Sequence, residues 1–419
     1  MRGTPGLGFE PRRGTTPSDL ESDALNLSAT PAPKTRAAIP NELTLLKRIK
    51  LVYYVPRFSI IIPAYKTPGT VFENIERIYA ESGDVEFLVG PDAWNDDDVD
   101  RLERMAEKYP IKIRADKERV GKVRKLNELI AASTGEILVF IDNDVRILSR
   151  EFLKSIERSM ERGDFGSGKI LIIGESLTQR GARIDYLGIN ATMEIQEEMG
   201  MSIGVNGAII VAKRDVVERI GGFRHVITED SDFGCRASGA GFKPVFVKDA
   251  VVATDAPSTW EKWYVQRKRW TIGGFQMALL NRELHVKNIM GGIVQSFAVF
   301  PFWVPMLLHF LGPGPLALKL ASIILSLLST VHIAFLFLAY ISFLAIMLTQ
   351  PVITVLGLAI TAAWIWYWRE RLGFTEIHPA DILLYYFVYA PIWGALIIGS
   401  LAYVAVRGTR IRECCGWKV

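Results

Sequence analysis

Two aspartates stand one residue apart, directly after a short apolar segment. Asp142 and Asp144 follow residues 136–141, which have the composition of a buried strand. Side chains two residues apart on an extended chain point to the same side, so the two carboxylates are placed to hold one hard cation together. Mg²⁺ or Mn²⁺ bound in this way keeps coordination positions open for phosphate oxygens. The alternative is an ordinary turn, because Asp and Asn favour turns after strands.

A basic segment precedes the aspartate pair and begins a predicted helix. Lys122 starts this segment and Asn127 ends it. The N-terminus of a helix favours anions, so a lysine at this place is suited to reach a diphosphate. The alternative is a solvated basic face that binds no ligand.

Acidic residues form a third group, at the start of another predicted helix. Glu229 and Asp230 follow Ile227 and Thr228. A carboxylate held at this place is suited to act as a general base that takes a proton from a hydroxyl group. Helix capping is the alternative, because Thr and acidic residues are common in the first turn of a helix.

Aromatic and basic residues are concentrated in residues 258–280. Gln266, Arg269 and Trp270 belong to this segment. An Arg guanidinium beside an indole is suited to bind a phosphate or the face of a sugar. The alternative is a helix that only anchors the protein at a membrane surface.

The segments between these groups alternate between strand and helix patterns. Strands are predicted at 58–65, 85–89, 111–114 and 136–141, and helices at 71–82, 97–109 and 123–133. This order indicates an α/β fold with a mostly parallel sheet covered by helices on both faces. Ligands of such sheets bind at the carboxyl ends of the strands, where the aspartate pair lies.

The composition excludes several classes of protein. The chain has 419 residues, of which 49% are apolar, and its net charge of +4 is too small to indicate a nucleic-acid partner. Three cysteines, without a CxxC or HExxH motif, argue against a disulfide scaffold and a zinc site. Mean hydropathy is +0.20, which indicates an average over a soluble part and a membrane part.

The membrane part is expected near the C-terminus. Between Ile289 and Trp368 the only Asp, Glu, Lys or Arg is Lys319. A membrane span needs about 20 apolar residues. We therefore divide the chain into a disordered tail at 1–40, a catalytic domain at 41–257, interfacial helices at 258–288, about four membrane helices within 289–406 and a basic cytoplasmic tail at 407–419.

The four groups, in this order, resemble the family 2 glycosyltransferases with a GT-A fold, in particular the membrane-integrated branch that includes cellulose, chitin and hyaluronan synthases. The resemblance covers roughly residues 58–280 and the helices that follow. It implies that Asp142 and Asp144 bind the metal and that Asp230, beside Glu229, is the catalytic base. It implies nucleotide or donor-binding roles for Pro63, Tyr65, Asp92, Lys122, Asn127, Asp142, Gln266, Arg269 and Trp270. It also implies that Trp270 lies near the acceptor and stacks on a sugar.

One loop departs from the family pattern. The family usually has an Asp-Asp-Gly-Ser-like loop after its second strand, whose acid meets the base of the nucleotide. Asp92 is the best match in this chain, although the surrounding pattern is absent. This departure weakens the inference that the nucleotide is uridine.

The resemblance implies inverting transfer of a sugar from a nucleotide-diphosphate sugar, with a UDP-sugar as the expected donor, to a growing polysaccharide or lipid-linked acceptor. The alternative is transfer of one sugar to a polyprenyl phosphate or other glycolipid acceptor. Mg²⁺ or Mn²⁺ is the implied cofactor, and membrane lipids are further partners. The expected location is the cell membrane, crossed several times, with the catalytic domain in the cytoplasm. A non-catalytic scaffold or transporter would have no use for these motifs.

Overall fold

The computed structural model describes residues 56–287, 301–408, 411, 413–414 and 417–418. The predicted disordered tail at 1–40 lies outside these residues, as do parts of the predicted membrane segment and of the basic tail. Eight strands of the described chain form one sheet. They are β1 (Phe58–Tyr65), β2 (Val85–Asp92), β3 (Ile111–Ile113), β4 (Ile137–Ile141), β5 (Arg146–Ile147), β6 (Phe165–Ile173), β7 (Ile209–Lys213) and β8 (Pro244–Asp255).

The sheet is mixed, with the order β3-β2-β1-β4-β7-β6-β8-β5. Strand β1 is parallel to both β2 and β4, whereas β7 is antiparallel to β4 and β6. All five residues of β4 are buried, as expected for a central strand covered on both faces. The four strands and the mostly parallel sheet predicted from the sequence are confirmed.

Helices cover both faces of this sheet. The predicted helices at 71–82, 97–109 and 123–133 are confirmed within a few residues at each end. The helices up to residue 287 are α1 (Val71–Glu81), α2 (Asp96–Ala106), α3 (Lys122–Ala132), α4 (Phe152–Met160), α5 (Leu177–Met199), α6 (Arg214–Ile220), α7 (Glu229–Gly239), α8 (Trp260–Leu280) and α9 (Arg282–Lys287).

The C-terminal part is helical and apolar. Its helices are α10 (Trp303–Leu311), α11 (Leu316–Leu328), α12 (Ile333–Thr349), α13 (Pro351–Leu372), α14 (Pro379–Leu384) and α15 (Ala390–Arg407), with a π-helical turn at Tyr385–Tyr389 that joins α14 to α15. Among the described residues, two helices are long and apolar enough to cross a membrane, Pro351–Leu372 and Pro379–Arg407. The expectation of about four spans stays a prediction.

Helix α8 connects the sheet domain to the C-terminal helices. Its Trp263 belongs to an apolar cluster with residues of α5, α12, α13 and α15. On the same helix, Thr271 is hydrogen-bonded to Ser400 of α15 at 2.7 Å. This helix therefore has one side against the C-terminal helices, and its other side is available to the sheet.

Candidate active site

One cavity of about 580 Å³ lies at the carboxyl ends of β1, β2 and β4. This is where a ligand is expected in a sheet of this topology. All but one of the residues predicted from the sequence line it. They are Pro63, Tyr65, Asp92, Lys122, Asp142, Asp144, Glu229, Asp230, Gln266, Arg269 and Trp270.

Lys122 joins two of the predicted motifs. Its Nζ lies 2.7 Å from Oδ1 of Asp142 and 3.0 Å from Oε1 of Glu229. Burial works against the charge of Lys122, but the two carboxylates outweigh burial and raise its pKa. The side chain is therefore a fixed positive charge inside the cavity. The solvated basic face that was the alternative applies to Arg124, which is exposed, and not to Lys122.

The aspartate pair extends into the cavity from a turn after β4. Asn143, between the two, also lines the cavity, and its Nδ2 donates to the carbonyl oxygen of Thr67 at 2.7 Å. Asp144 is accessible from the cavity, yet its enclosed position and the charge of Asp142 raise its pKa to about 6. A turn is thus present, and it directs both carboxylates to the same space.

Asp230 is held by backbone amides on both carboxylate oxygens. Gly207 N donates to Oδ2 at 2.8 Å, and Ser231 N donates to Oδ1 at 2.8 Å. Burial and the neighbouring charge of Glu229 raise the pKa of Asp230 to about 6, against the pull of Lys122. Thr228 makes no capping hydrogen bond through its side chain. The acidic group therefore lines the cavity and also occupies the first turn of α7.

Helix α8 presents its motif residues to the cavity on one face. Gln266, Arg269 and Trp270 are spaced three and four residues apart, which places them on neighbouring turns of the same face. Arg267 flanks this face, one turn before Trp270, and is fully buried. Trp270 is half-buried and contacts the ring of Tyr186 edge-to-face, with centroids 6.2 Å apart.

Comparison with family models decides the membership of this chain. The model described as glycosyl transferase family group 2 matches residues 137–401. The chain belongs to this family. Its matched region contains the aspartate pair, the Glu229–Asp230 pair and the motif of α8, so the group 2 glycosyltransferase assignment is confirmed.

Curated relatives match over a shorter region. The chain is 31% identical over 96 residues to glucomannan 4-beta-mannosyltransferase 1 of Cyamopsis tetragonoloba and 32% identical over 96 residues to a probable glucomannan 4-beta-mannosyltransferase 3 of Arabidopsis thaliana. Each match covers 22% of this chain, and it spans 18% and 17% of the two relatives.

Two solved structures are also similar to this chain. A mannosyltransferase from Pyrobaculum calidifontis, in complex with GDP-Man and Mn²⁺, has a TM-score of 0.47 and 17% identity, and the match covers 85% of this chain and 88% of that one. S. aureus TarS 1-349 has a TM-score of 0.38 and 14% identity, with 79% and 89% covered. The α/β GT-A fold of this group 2 glycosyltransferase follows from its own sheet and from the family match.

Asn127 is the one predicted site residue of this glycosyltransferase that does not line the cavity. Its Nδ2 donates to the carbonyl oxygen of Phe223 at 2.9 Å, and its Oδ1 accepts from Phe223 N at 2.9 Å. These two bonds connect α3 to the segment before α7. The side-chain amide thus joins two parts of the fold, and the predicted nucleotide contact of Asn127 stays a prediction.

Asp92 lines the cavity, but its carboxylate mainly accepts hydrogen bonds from backbone amides. Its two carboxylate oxygens accept from Val120 N at 2.9 Å and from Gly121 N at 3.0 Å, and the residue is 3% exposed. These bonds fix the loop that leads into Lys122. The predicted contact with the nucleotide base stays a prediction.

Several residues that line the cavity were not predicted from the sequence. Asp255 ends β8, and its charge contributes to the raised pKa of Asp144. Its position after an apolar strand was a signal that could have been used, by the same rule that identified Asp142. Others lie in loops or inside helices, where no motif marks them. They include Arg119, Lys125, Tyr186, Thr192, Gln196 and Asn206.

The carboxylates of the cavity suit a divalent cation whose remaining coordination positions are filled by the substrate. No group of three or more His, Cys, Asp or Glu side chains placed to hold a metal ion occurs in the part of the chain that the structure describes. Asp142 and Asp144 offer hard oxygen ligands at one place. The pKa of Asp144 is raised by its enclosed position and by the charge of Asp142, and a bound cation would offset both effects. Such a pair suits a cation that takes further ligands from phosphates.

The pKa of Asp230 leads to an expected pH profile. A base must be deprotonated, so kcat/KM should rise with pH and level off above the pKa of the free enzyme, about 6. Raising the Mn²⁺ concentration should move the midpoint to lower pH, because added positive charge favours the carboxylate. A profile that falls as pH rises from 5 to 7 would contradict this assignment.

Gly207 leaves space for Asp230. A Cβ at this position would lie 2.8 Å from Oδ2 of Asp230, closer than such contacts occur. We expect Gly207→Ala to displace the carboxylate and to lower sugar transfer by about 10- to 100-fold, since small misplacements of reacting groups are costly. Gly274→Ala on α8 is the control, because no atom lies within 4 Å of its added Cβ. Equal activity of the two variants would show that the position of Asp230 is not critical.

Proposed function

We propose that this glycosyltransferase carries out inverting transfer of a sugar from a nucleotide-diphosphate sugar to a hydroxyl group of a growing polysaccharide or lipid-linked acceptor. One observation carries the proposal. Lys122 bridges Asp142 and Glu229, so the predicted metal site and the predicted base meet in the same cavity.

The donor side of the cavity contains both acidic and basic side chains. Asp142 and Asp144 would hold Mg²⁺ or Mn²⁺, which supplies positive charge against the charge that develops on the leaving diphosphate. Lys122 adds a positive charge that the neighbouring carboxylates keep protonated. Arg269 lines the same space and is a second cation for the diphosphate.

The acceptor side is built around Asp230 and Trp270. The two amide bonds to Asp230 fix the plane of its carboxylate, so that it takes a proton from an acceptor hydroxyl without reorienting. The deprotonated oxygen attacks the anomeric carbon from the face opposite the leaving group, which inverts the configuration. Trp270 offers an aromatic surface on which a sugar ring of the acceptor stacks.

The proposal also concerns the sugar and the nucleotide of the donor. The expectation of a UDP-sugar stays a prediction, since the loop at Asp92 departs from the family pattern. The curated relatives are named mannosyltransferases, and the similar structure from Pyrobaculum calidifontis holds GDP-Man. GDP-mannose is therefore the first competing donor.

The C-terminal helices support a position at the membrane. Helix α13 exposes large apolar side chains, among them Val352 at 80% and Val355 at 67%. Lipid is the natural solvent for such a surface. We propose that the helices cross the cell membrane several times and hold the catalytic domain on the cytoplasmic side, facing the nucleotide sugars.

The test is a donor screen with full-length protein in nanodiscs. GDP-mannose and a panel of UDP-sugars are supplied with Mn²⁺ or Mg²⁺, with and without membrane lipid extract, and nucleotide diphosphate release is measured. We expect release from one donor, and we expect Asp142→Ala to abolish it. Release that survives both Asp142→Ala and Asp144→Ala, or silence with every donor, would contradict the proposed function.

A single-sugar transfer to a lipid acceptor is the second candidate. One wall of the cavity is apolar, formed by Ile189 and Met193 of α5 and by Met277 of α8. Just beyond Met277, Leu279 and Leu280 are exposed. A lipid-linked acceptor would find apolar contacts along this path. A single chloroform-soluble product, formed only with added lipid, would favour this candidate over a polymerising enzyme.

A further inference from the structure

A buried ion pair lies directly behind the motif face of α8. Arg267 is 0% exposed, and its Nη2 donates to Oδ2 of Asp185 at 3.0 Å and to the hydroxyl of Tyr389 at 3.2 Å. Tyr389 also donates to Asp185 and accepts from Trp263 Nε1 at 2.7 Å. None of these four residues lines the cavity. The cluster joins α8, α5 and the π-helical turn before α15.

Stability alone is a weak reason to keep such a cluster. Removing two charges from water is costly, and well-packed apolar residues of similar volume often replace a buried ion pair without loss. A guanidinium, however, is planar and forms bonds in a fixed fork, so it sets geometry better than apolar packing does. The cluster is therefore suited to fix orientation.

The group that Arg267 orients is Trp270. The guanidinium carbon lies 4.1 Å from the centroid of the Trp270 ring and 4.7 Å from that of Trp393 on α15. Trp270 is also in contact with Tyr186, the residue after Asp185. The same cluster thus supports the Trp270 ring from two sides, through Arg267 and through the neighbour of its carboxylate partner.

The π-helical turn Tyr385–Tyr389 contributes Tyr389 to the cluster. Such turns are rare and often occur at functional sites, because the extra residue shifts side chains around the helix. Here Tyr389 faces α5 so closely that a Cβ on Gly181 would lie 2.0 Å from its ring. The C-terminal helices therefore reach the back of the active site through Tyr389 and Trp393.

We propose that Arg267, held by Asp185 and Tyr389, is a positioning residue that sets the ring plane of Trp270 for the acceptor and connects the acceptor site to the C-terminal helices. This inference rests on the proposed function, which gives Trp270 to the acceptor. Lys122 and Asp142 on the donor side make no hydrogen bond with this cluster, whereas Arg267 Nη1 donates to Oε1 of the cavity residue Gln266 at 3.2 Å.

The kinetic test compares two variants of the cluster with a control in nanodiscs. Tyr389→Phe keeps the ring and removes the hydroxyl, and Arg267→Lys keeps the charge but not the fork. We expect both to lower transfer by about 10- to 100-fold, through acceptor KM and kcat, with donor affinity unchanged. Donor hydrolysis should rise relative to transfer. Lys268→Gln is the control, because Lys268 also binds the C-terminal part, at the carbonyl oxygen of Thr330, from the next position on α8.

A second readout does not depend on activity. The fluorescence of Trp270 is isolated as the difference between each protein and the same protein carrying Trp270→Phe, and its quenching by acrylamide is measured. We expect quenching of this difference signal to increase in Tyr389→Phe and Arg267→Lys and to stay at the wild-type level in Lys268→Gln. An inactive wild-type enzyme with the expected quenching would contradict the proposed function and leave the positioning role supported.

The positioning role would be overturned by any of three results. The first is unchanged Trp270 quenching in Tyr389→Phe and Arg267→Lys. The second is an equal loss of donor affinity and acceptor affinity in these variants. The third is an equal loss of transfer in Lys268→Gln, and both the second and the third would indicate general loosening of α8. Loss of folding in Arg267→Lys does not decide the matter, because Tyr389→Phe removes only one oxygen and serves as the gentler test.

Discussion

Asp230→Asn is expected to lower the rate of sugar transfer by about 10²- to 10⁴-fold, the usual contribution of a general base. Asn is nearly the same size as Asp, so the cavity keeps its shape. It cannot take a proton from the acceptor hydroxyl at neutral pH. Nucleotide affinity should stay near that of the wild type, because the donor-side contacts of Lys122 with Asp142 and Glu229 remain. Single-turnover transfer and nucleotide binding, measured on the same preparation, check the two parts separately.

The substitution also alters the hydrogen bonds around residue 230. The carboxylate accepts from Gly207 N and Ser231 N, and an amide retains only one acceptor oxygen. A small loss of stability is therefore expected together with the large loss of rate. Asp215→Asn, at an exposed position of α6, is the matched control and should change neither the stability nor the rate of transfer. If nucleotide binding falls as much as transfer in Asp230→Asn, the carboxylate has a donor-side role and the base must be sought elsewhere.

The sheet of the catalytic domain was accessible from the sequence because its signals are local. The apolar run that becomes β4 and the alternation of strands with helices predict a parallel sheet without knowledge of long-range contacts. Once the sheet is known, its carboxyl edge fixes where Asp142, Lys122 and Tyr65 meet. This geometric rule explains why residues far apart in the chain were assigned to one site.

Other roles depend on contacts that no local pattern encodes. Asn127 lies in a recognised motif, yet its amide bonds to Phe223, 96 positions later in the chain. Arg267 lies between motif residues, but its partners Asp185 and Tyr389 are 82 and 122 positions away. Sequence periodicity places these side chains on a helix face, and only tertiary structure shows what that face contacts.

The C-terminal helices mark a further limit of sequence reasoning. The apolar segment at 315–349 is one continuous stretch by hydropathy, but the structure divides it into α11 and α12. Ser329 lies at the break and donates to the carbonyl oxygen of Ala395 at 3.3 Å. Hydropathy measures how apolar a segment is, and it does not identify the position where a helix turns back on its neighbours.

Asp144→Asn is the second substitution with a large expected effect, and it acts on activity and stability in opposite directions. Loss of a carboxylate at the proposed cation site should reduce transfer by about 100-fold or more, since such a cation provides several kcal/mol of charge stabilisation. Stability at pH 7 should rise or stay constant. The pKa of Asp144 is raised from 3.8 to about 6, so its charge opposes folding above pH 6, and Asn removes that charge.

Mn²⁺ supplies the measurement that separates these effects. A ligand that binds only the folded protein stabilises it, so saturating Mn²⁺ with nucleotide diphosphate should raise the Tm of the wild type by about 2–5 °C. The same addition should leave Asp144→Asn nearly unchanged, although its Tm without Mn²⁺ is at least that of the wild type. Asp100→Asn, exposed on α2, should respond as the wild type does. An equal Mn²⁺ shift in Asp144→Asn would place the cation elsewhere, whereas a lower Tm without Mn²⁺ would show that the Asp144 carboxylate stabilises the fold and that its pKa is not raised.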